Sequence, residues 1–316
     1  MQQLLGTSTY TPADTLKNCS TAAGVTTIVE ARTGSPSIAI AKEIGPTVSP
    51  VGTAIFALKE TLKRATEAGV AIAVATGRAY SELPIEMLYE AGFHYAITGN
   101  GSAVYGLPDK ECIFSDCLDT EVVCRIIREL RKLDIYYDVY IDGLVYCPKS
   151  VCHNIRKMDM PESLHEHIER TRIVVDDLED YIRSCGKSVE KTTLNFAYLE
   201  DGTCLGKTES AAILDRYPQV EYLSGGFHNW EFTRAGVNKG TGLGFLAEQI
   251  GVPMEFTMAC GDSENDLSML RAANVAVAME NAKEAVKKES AYITLSNDES
   301  GVAHAIEHFV FGRNPL

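Results

Sequence analysis

The sequence predicts an α/β protein, a three-layer core around a parallel sheet interrupted by an α+β insert. Two observations carry this. Short apolar runs of strand type alternate with helical stretches from about residue 57 to 98 and again from 236 to 295, the pattern of βαβ units whose sheet is covered on both faces. Between them, roughly 105–235, alternating strands and Asp-Gly turns sit beside an amphipathic helix. The division read from the chain is 1–104 for the first part of the core, 105–235 for the insert and 236–316 for the second part.

Residues 1–56 stand apart. They are rich in Thr, Ser, Ala, Gly and Pro and carry only six charges, Asp14, Lys17, Glu30, Arg32, Lys42 and Glu43. "TTIVEA" (26–31) and "SIAIA" (37–41) are their only strand-like runs, and no helix is predicted before residue 57. On this composition the sheet would lack a proper central strand, as it would if a shifted reading frame or a mis-joined exon had replaced the segment.

From residue 57 the spacing of Leu58, Leu62 and Ala65 predicts a helix that ends at Gly69. A buried-type strand (70–76), a polar helix start and a strand (93–98) follow. In the insert, Val123, Ile126, Leu130 and Leu133 form one helical stripe. "IYYDVYIDGLVYC" predicts a hairpin, and "TTLNFAYLEDGTCL" a second one around Asp201-Gly202. After 236 come a helix with Leu243, Leu246 and Ile250 in register, a strand (256–260) and a helix with Leu267 and Leu270. A strand (274–279), a helix from Ala282 and a strand (291–295) complete the series.

At 316 residues, 45% hydrophobic and 23% charged, the chain has the composition of an ordinary soluble globular protein. A formal charge of −14 argues against nucleic acid or an anionic membrane as partner, because both favour a basic face. No apolar run reaches the ~18–20 residues of a membrane span, and the N-terminus is a poor signal peptide. Nine scattered cysteines without a CxxC pair read as reduced thiols of an intracellular, cytoplasmic protein. His165 and His167, two apart on a helix, are poor joint ligands, and "VVDDLED" (174–180) reads as a solvated face.

Three motifs carry chemistry. In "VATGR", Thr76 ends a strand, and ligands of open α/β sheets bind outside the strand carboxyl ends. With the Gly77 N–H it makes a small anion cradle, although a threonine capping the turn would read the same way. In "GVNKGTGLGFL", Lys239 opens a helix, where a cation is unfavourable unless an anion sits nearby. Glycines 240, 242 and 244 follow GxGxG rather than GxGxxG, with no strand leading in, which argues against a dinucleotide loop. In "ACGDSENDLSML", Asp262 emerges from a buried strand as a candidate ligand for Mg²⁺, a hard cation. Asn265 can donate to a phosphate or orient Lys239, and Asp266 can hold the lysine or a metal-bound water.

Together, ATGR, NKG and GDxxND on strand ends of one sheet, with an α+β insert between the first two, resemble the haloacid dehalogenase superfamily. Within it they are closest to the Cof-type phosphatases of the C2-cap (IIB) branch. "ITGNGSAVY" (97–105), "NVAVAMENAKEAVK" (274–287) and "LSNDESGVAHAIEHF" (295–309) match too, so the resemblance spans about 57–316. It implies a Rossmann-like core with a C2-type cap that closes over the site and selects the substrate. The implied activity is Mg²⁺-dependent hydrolysis of a small phosphorylated metabolite, a sugar or cofactor monoester, through an aspartyl-phosphate. The resemblance also implies that Thr76 and Gly77 bind the phosphoryl group and Lys239 neutralises it. Asp262, with Asp266, would hold the metal, and Asn265 would support lysine and phosphate.

One part is missing. The family's first motif, DxDGT, supplies a nucleophilic aspartate and an acid–base aspartate, and this sequence has none. Asp14 lies 62 positions before Thr76, about twice the family's spacing. Glu30, at the end of "TTIVEA", is the best positional substitute, but Arg32 stands where the second aspartate belongs and cannot shuttle a proton at neutral pH. The alternatives are a pseudophosphatase that binds a phosphoester without cleaving it and, less favoured, a sugar phosphomutase.

Overall fold

The computed structural model describes residues 37–40, 51–225 and 228–312, with side chains from residue 58 onward. The first group of elements is β1 (Ser37–Ile40), α1 (Val51–Glu67), β2 (Val70–Ala75), α2 (Ile85–Glu90), β3 (Tyr95–Thr98), β4 (Ala103–Gly106) and β5 (Glu111–Ser115). The middle of the chain forms α3 (Thr120–Leu130), β6 (Tyr136–Ile141), β7 (Leu144–Pro148), α4 (Glu162–Thr171), β8 (Arg172–Val175) and α5 (Leu178–Ser184). It continues with β9 (Val189–Asn195), α6 (Lys207–Leu214), β10 (Val220–Leu223) and β11 (Trp230–Arg234). The last group is α7 (Lys239–Gln249), β12 (Thr257–Gly261), α8 (Leu267–Ala272), β13 (Val275–Ala278), α9 (Glu284–Lys288), β14 (Tyr292–Ile293) and α10 (Gly301–Phe309).

Eight strands form the first sheet in the order β14-β13-β12-β1-β2-β3-β4-β5, parallel from β14 to β3 and antiparallel at β4 and β5. Helix α1 packs on α10, and α7 packs on α8 and against β3, β4 and β5. A single apolar cluster including Leu62, Ile72, Val74, Leu243, Met258, Val277 and Ile306 fills this unit. This is the α/β class the alternating pattern predicts. No described helix is long and apolar enough to cross a membrane, and the described cysteines are all free.

Two expectations for the N-terminal segment are corrected. Ser37–Ile40 occupies the central slot, paired in parallel with β2 on one side and β12 on the other. The sheet therefore has a central strand, built from the shorter of the two strand-like runs. Helix α1 starts at Val51, earlier than 57; in the sequence Ala54 and Ile55 stand four and three positions before Leu58, the helical repeat. Asp14, "TTIVEA", Glu30 and Arg32 lie outside the described residues.

The second sheet has six strands in the order β10-β11-β9-β6-β7-β8, antiparallel except for β7 beside β8. The predicted hairpin at Asp142-Gly143 forms, with both residues at positive φ. The second predicted hairpin is only an isolated bridge, Tyr198 to Cys204, because β9 spends its edges on β6 and β11. The sequence boundary at 105 falls inside β4, whose hairpin with β5 extends the first sheet to Ser115. The boundary at 235 falls one residue past β11.

Two glycines of "NKGTGLG", Gly240 and Gly242, are packing residues, while Gly244 faces open space. A Cβ on Gly242 would come 2.6 Å from Ile97 Cγ2 and 3.0 Å from Gly101 Cα, so only glycine lets α7 press against the 99–101 turn. We expect Gly242→Ala to cost about 1–3 kcal/mol through overpacking, measured as a lowered chemical-denaturation midpoint.

Candidate active site

Strand β1 lies between β2 and β12, so the residues that follow those two strands face each other across it. Thr76 follows β2 and Asp262 follows β12, both at carboxyl ends of the parallel sheet, where a ligand of an open α/β sheet binds.

Thr76 is fully buried. Its N–H donates to the Ile97 carbonyl at 2.8 Å, and its own carbonyl accepts from the Asn100 N–H at 3.0 Å. Its Oγ1 accepts from the Arg78 N–H at 3.1 Å, so the turn is capped and the hydroxyl proton is left to donate. At Gly77 a Cβ would sit 2.8 Å from Asn100 Oδ1 and 3.2 Å from Glu231 Oε2, so a side chain there would push these two polar groups aside. Asn100 holds a left-handed conformation at φ 59°.

Lys239 is also fully buried, not a solvated lysine. Its Nζ donates to Asp266 Oδ1 at 2.6 Å, and neither side chain is exposed. The anion that the start of α7 calls for is therefore the Asp266 carboxylate. Asn238 caps this helix, its side chain accepting from the N–H groups of Gly240 and Thr241 at 3.0 and 3.1 Å.

Asp266 Oδ2 accepts from the N–H groups of Asp262 and Ser263 at 3.1 and 3.0 Å. Asp266 thus holds the lysine and the loop, the first of the two roles its position allows. Asp262 is 8% exposed. Its Oδ1 accepts from Ser263 Oγ at 2.6 Å and its Oδ2 from Asn281 Nδ2 at 2.8 Å. Asn281 Oδ1 in turn accepts from the Asn297 N–H at 3.0 Å, which fixes the amide's orientation. Asn265 Oδ1 is buried with no partner among the described residues.

Residues 56–306 match the haloacid dehalogenase-like hydrolase family, well over half of the chain. The chain belongs to that family. It is 29% identical over 273 residues to phosphatase YwpJ of Bacillus subtilis (strain 168), covering 80% of this chain and 92% of the relative. It is 28% identical over 269 residues to 5-amino-6-(5-phospho-D-ribitylamino)uracil phosphatase YwtE of the same strain, covering 81% and 91%. Among solved structures, a haloacid dehalogenase-like hydrolase from B. subtilis superimposes with a TM-score of 0.66 at 24% identity, covering 80% of this chain and 92% of that one. That likeness is one of fold.

The inserted sheet lies over the turn that carries Thr76. Gly77, Arg78 and Asn265 line a cleft whose other side carries Lys191, Thr193 and Glu231. Lys239 and Asn265 line an adjoining hollow with Asn100 and Asn238. Lys191 Nζ donates to the Gly77 carbonyl and lies 3.0 Å from Glu231 Oε2 and 4.4 Å from the Tyr140 ring centre. Asn100 Nδ2 donates to the same Glu231 oxygen at 2.6 Å. These contacts tie the roof to the turn that carries Thr76.

A second bridge between the two units is ionic. Arg172 on β8 pairs with Glu82, just past the Thr76 turn, and its Nε donates to Asp138 Oδ2 at 2.9 Å. Burial works against ionisation of Glu82, yet the Arg172 charge, the His167 ring and the Ala79 N–H hold its carboxyl well below the usual range. Burial pushes the Asp138 carboxyl up, against the pull of Arg172. A carboxylate depressed in the folded state contributes stability that is present above its unfolded pKa of about 4.3 and lost as pH falls through the lower folded value. We expect Glu82→Gln to cost about 3 kcal/mol at pH 7. The gap to the unmutated protein should close below about pH 4 in denaturation curves taken across pH.

Sequence reasoning missed Lys191, Glu231, Asn100, Asn281 and the place of His167, which lines the cleft. The polar alternation Lys191, Thr193, Asn195 in a strand was the available signal. The acidic run 174–180 is not all solvated face: Glu179 is buried against Arg128 and Arg131.

Proposed function

We propose that this chain is a Mg²⁺-dependent phosphatase of the Cof type acting on small phosphate monoesters, of sugars or cofactors, in the cleft between the core and a closing cap. The observation that carries the reading is the shared sheet edge. Thr76, Lys239 and Asp262, three parts of one phosphate site, are buried there and held by Arg78, Asp266, Ser263 and Asn281. The Thr76 hydroxyl and the Gly77 N–H hold phosphoryl oxygens. Lys239, paired with Asp266, neutralises the transferring group; most of phosphoryl-transfer catalysis is such positioning and neutralisation.

The donor set fits Mg²⁺. Asp262 supplies one oriented carboxylate, and among the described residues no group of three or more His, Cys, Asp and Glu gathers into a closed metal site. A hard cation that fills most of its positions with water and phosphate oxygens suits that arrangement. When bound, the ion offsets phosphate charge and orients the ester beside Lys239.

One observation favours a second reading, in which the ester is bound without cleavage. Central strand β1 is followed in sequence by Ala41, Lys42 and Glu43, and no aspartate occurs from residue 15 to 108. The test is hydrolysis of 4-nitrophenyl phosphate by the full chain with Mg²⁺. Phosphate release that Asp262→Asn abolishes supports the phosphatase. Mg²⁺-dependent binding of orthophosphate without release supports the second reading.

A further inference from the structure

A buried sheet face is ordinarily apolar, yet the inserted sheet has a buried polar one. Val139, Leu194 and Phe232 belong to the apolar cluster beneath α3, α5 and α6. On the opposite side, Lys191, Thr193 and Asn195 alternate along β9 at 1%, 6% and 7% exposure. The strand register places Glu231 of β11 and Asp138 of β6 on either side of Thr193, and Tyr140 beside Lys191. Lys191, Thr193 and Asn195 line the cleft together with Gly77 and Arg78 of the Thr76 turn.

The charges of this roof are already used. Lys191 is paired with Glu231, and Arg172 with Glu82 and Asp138. The aromatic ring in the cleft, Tyr140, has the Lys191 ammonium over it and offers no open stacking platform. Hydrogen-bonding capacity is what remains. Thr193 Oγ1 on the roof and Asn265 Oδ1 on the floor are buried, line the cleft and have no partner among the described residues. A buried polar atom left unpaired is costly, and such atoms persist where a ligand completes them.

We propose that Thr193 is a specificity-determining residue which, with Asn265 opposite, hydrogen-bonds hydroxyl groups of the leaving group. The chain then prefers monophosphates of neutral polyhydroxylated carbon chains over those of flat aromatic rings. This rests on the phosphate site proposed above and adds to it the class of group the phosphate is attached to. A site built to bond a hydroxyl rejects an analogue lacking it, because its own polar groups are left unpaired.

The experiment is calorimetric titration of the full chain with Mg²⁺, using orthophosphate, ribitol 5-phosphate and phenyl phosphate, with KM replacing the binding constant for any ester that is turned over. The unmutated chain should bind ribitol 5-phosphate at least about ten-fold more tightly than phenyl phosphate. Thr193→Val should erase about ten-fold of that affinity and leave orthophosphate and phenyl phosphate within two-fold, roughly the scatter of one lost contact elsewhere. Thr193→Ser, which keeps the hydroxyl, should retain the preference, and Thr193→Ala reads the loss should the valine variant not fold. Equal affinity for the two esters, or a folded variant without the hydroxyl that keeps the preference, overturns the proposal. If the unmutated chain fails to bind orthophosphate, the phosphate-site reading falls. The proposal then stands only if ribitol 5-phosphate still binds in a Thr193-dependent way, and otherwise falls too.

Discussion

Lys239→Met should destabilise the protein by about 3–5 kcal/mol, a large share of the roughly 5–15 kcal/mol that holds a domain folded. The reason lies in the environment of its partner. Asp266 is fully buried, with Oδ1 on the lysine and Oδ2 on two backbone N–H groups. Methionine fills the lysine's volume but leaves the Asp266 charge without the ammonium, in a medium where desolvation is expensive. Asp266→Asn should be costly too, since with its oxygen on the two N–H groups its NH₂ faces the buried Lys239 ammonium, donor against donor. Lys239→Met combined with Asp266→Asn should recover part of the loss, because removing both charges avoids a lone buried ion. Urea unfolding of the three variants at pH 7 measures this. Costs that simply add would contradict the pairing.

Asp262→Asn should lower Mg²⁺ affinity by at least about a hundred-fold while leaving the fold intact; loss of an outer-sphere partner alone typically costs ten- to a hundred-fold. Asparagine matches the aspartate in shape but drops the charge. It also places an amide NH₂ within reach of the Asn281 NH₂ or the Ser263 hydroxyl, which now donate to Asp262 at 2.8 and 2.6 Å. Titration of Mg²⁺ in the presence of orthophosphate measures the effect, and the melting temperature controls for folding. Unchanged affinity would move the cation site elsewhere.

How far the sequence carried the fold follows from what local pattern encodes. The helix from Leu58 to Ala65 and the strands at 70–76, 256–260 and 274–279 are written in side-chain periodicity, and they form. Strand partners are not local. Nothing in "TTLNFAYLEDGTCL" says that β9 will pair with β6 and β11 rather than fold back at Asp201-Gly202. The boundary at 105 fell inside β4 for the same reason, since a hairpin's texture does not say which sheet it extends.

Within the site, Thr76, Lys239 and Asp262 could be named because each stands at a strand end or a helix start. Of their partners, only Asp266 could: it is read as able to hold Lys239, and across 27 positions it comes to 2.6 Å from the ammonium. Asn281 looks like a turn residue until its amide meets Asp262 across two strand ends. The central strand is the clearest case of pattern understating structure. Ser-Ile-Ala-Ile is short, but flanked by β2 and β12 it completes the parallel sheet.

As proposed, Thr76, Lys239 and Asp262 form one Mg²⁺-dependent phosphate site. The most direct measurement is calorimetric titration of orthovanadate, a phosphoryl mimic, into the full chain with and without Mg²⁺, beside Asp262→Asn. The expected result is binding that requires Mg²⁺ and disappears in the variant. Absent binding, or binding of equal strength without Mg²⁺ and in Asp262→Asn, would rule out the shared site.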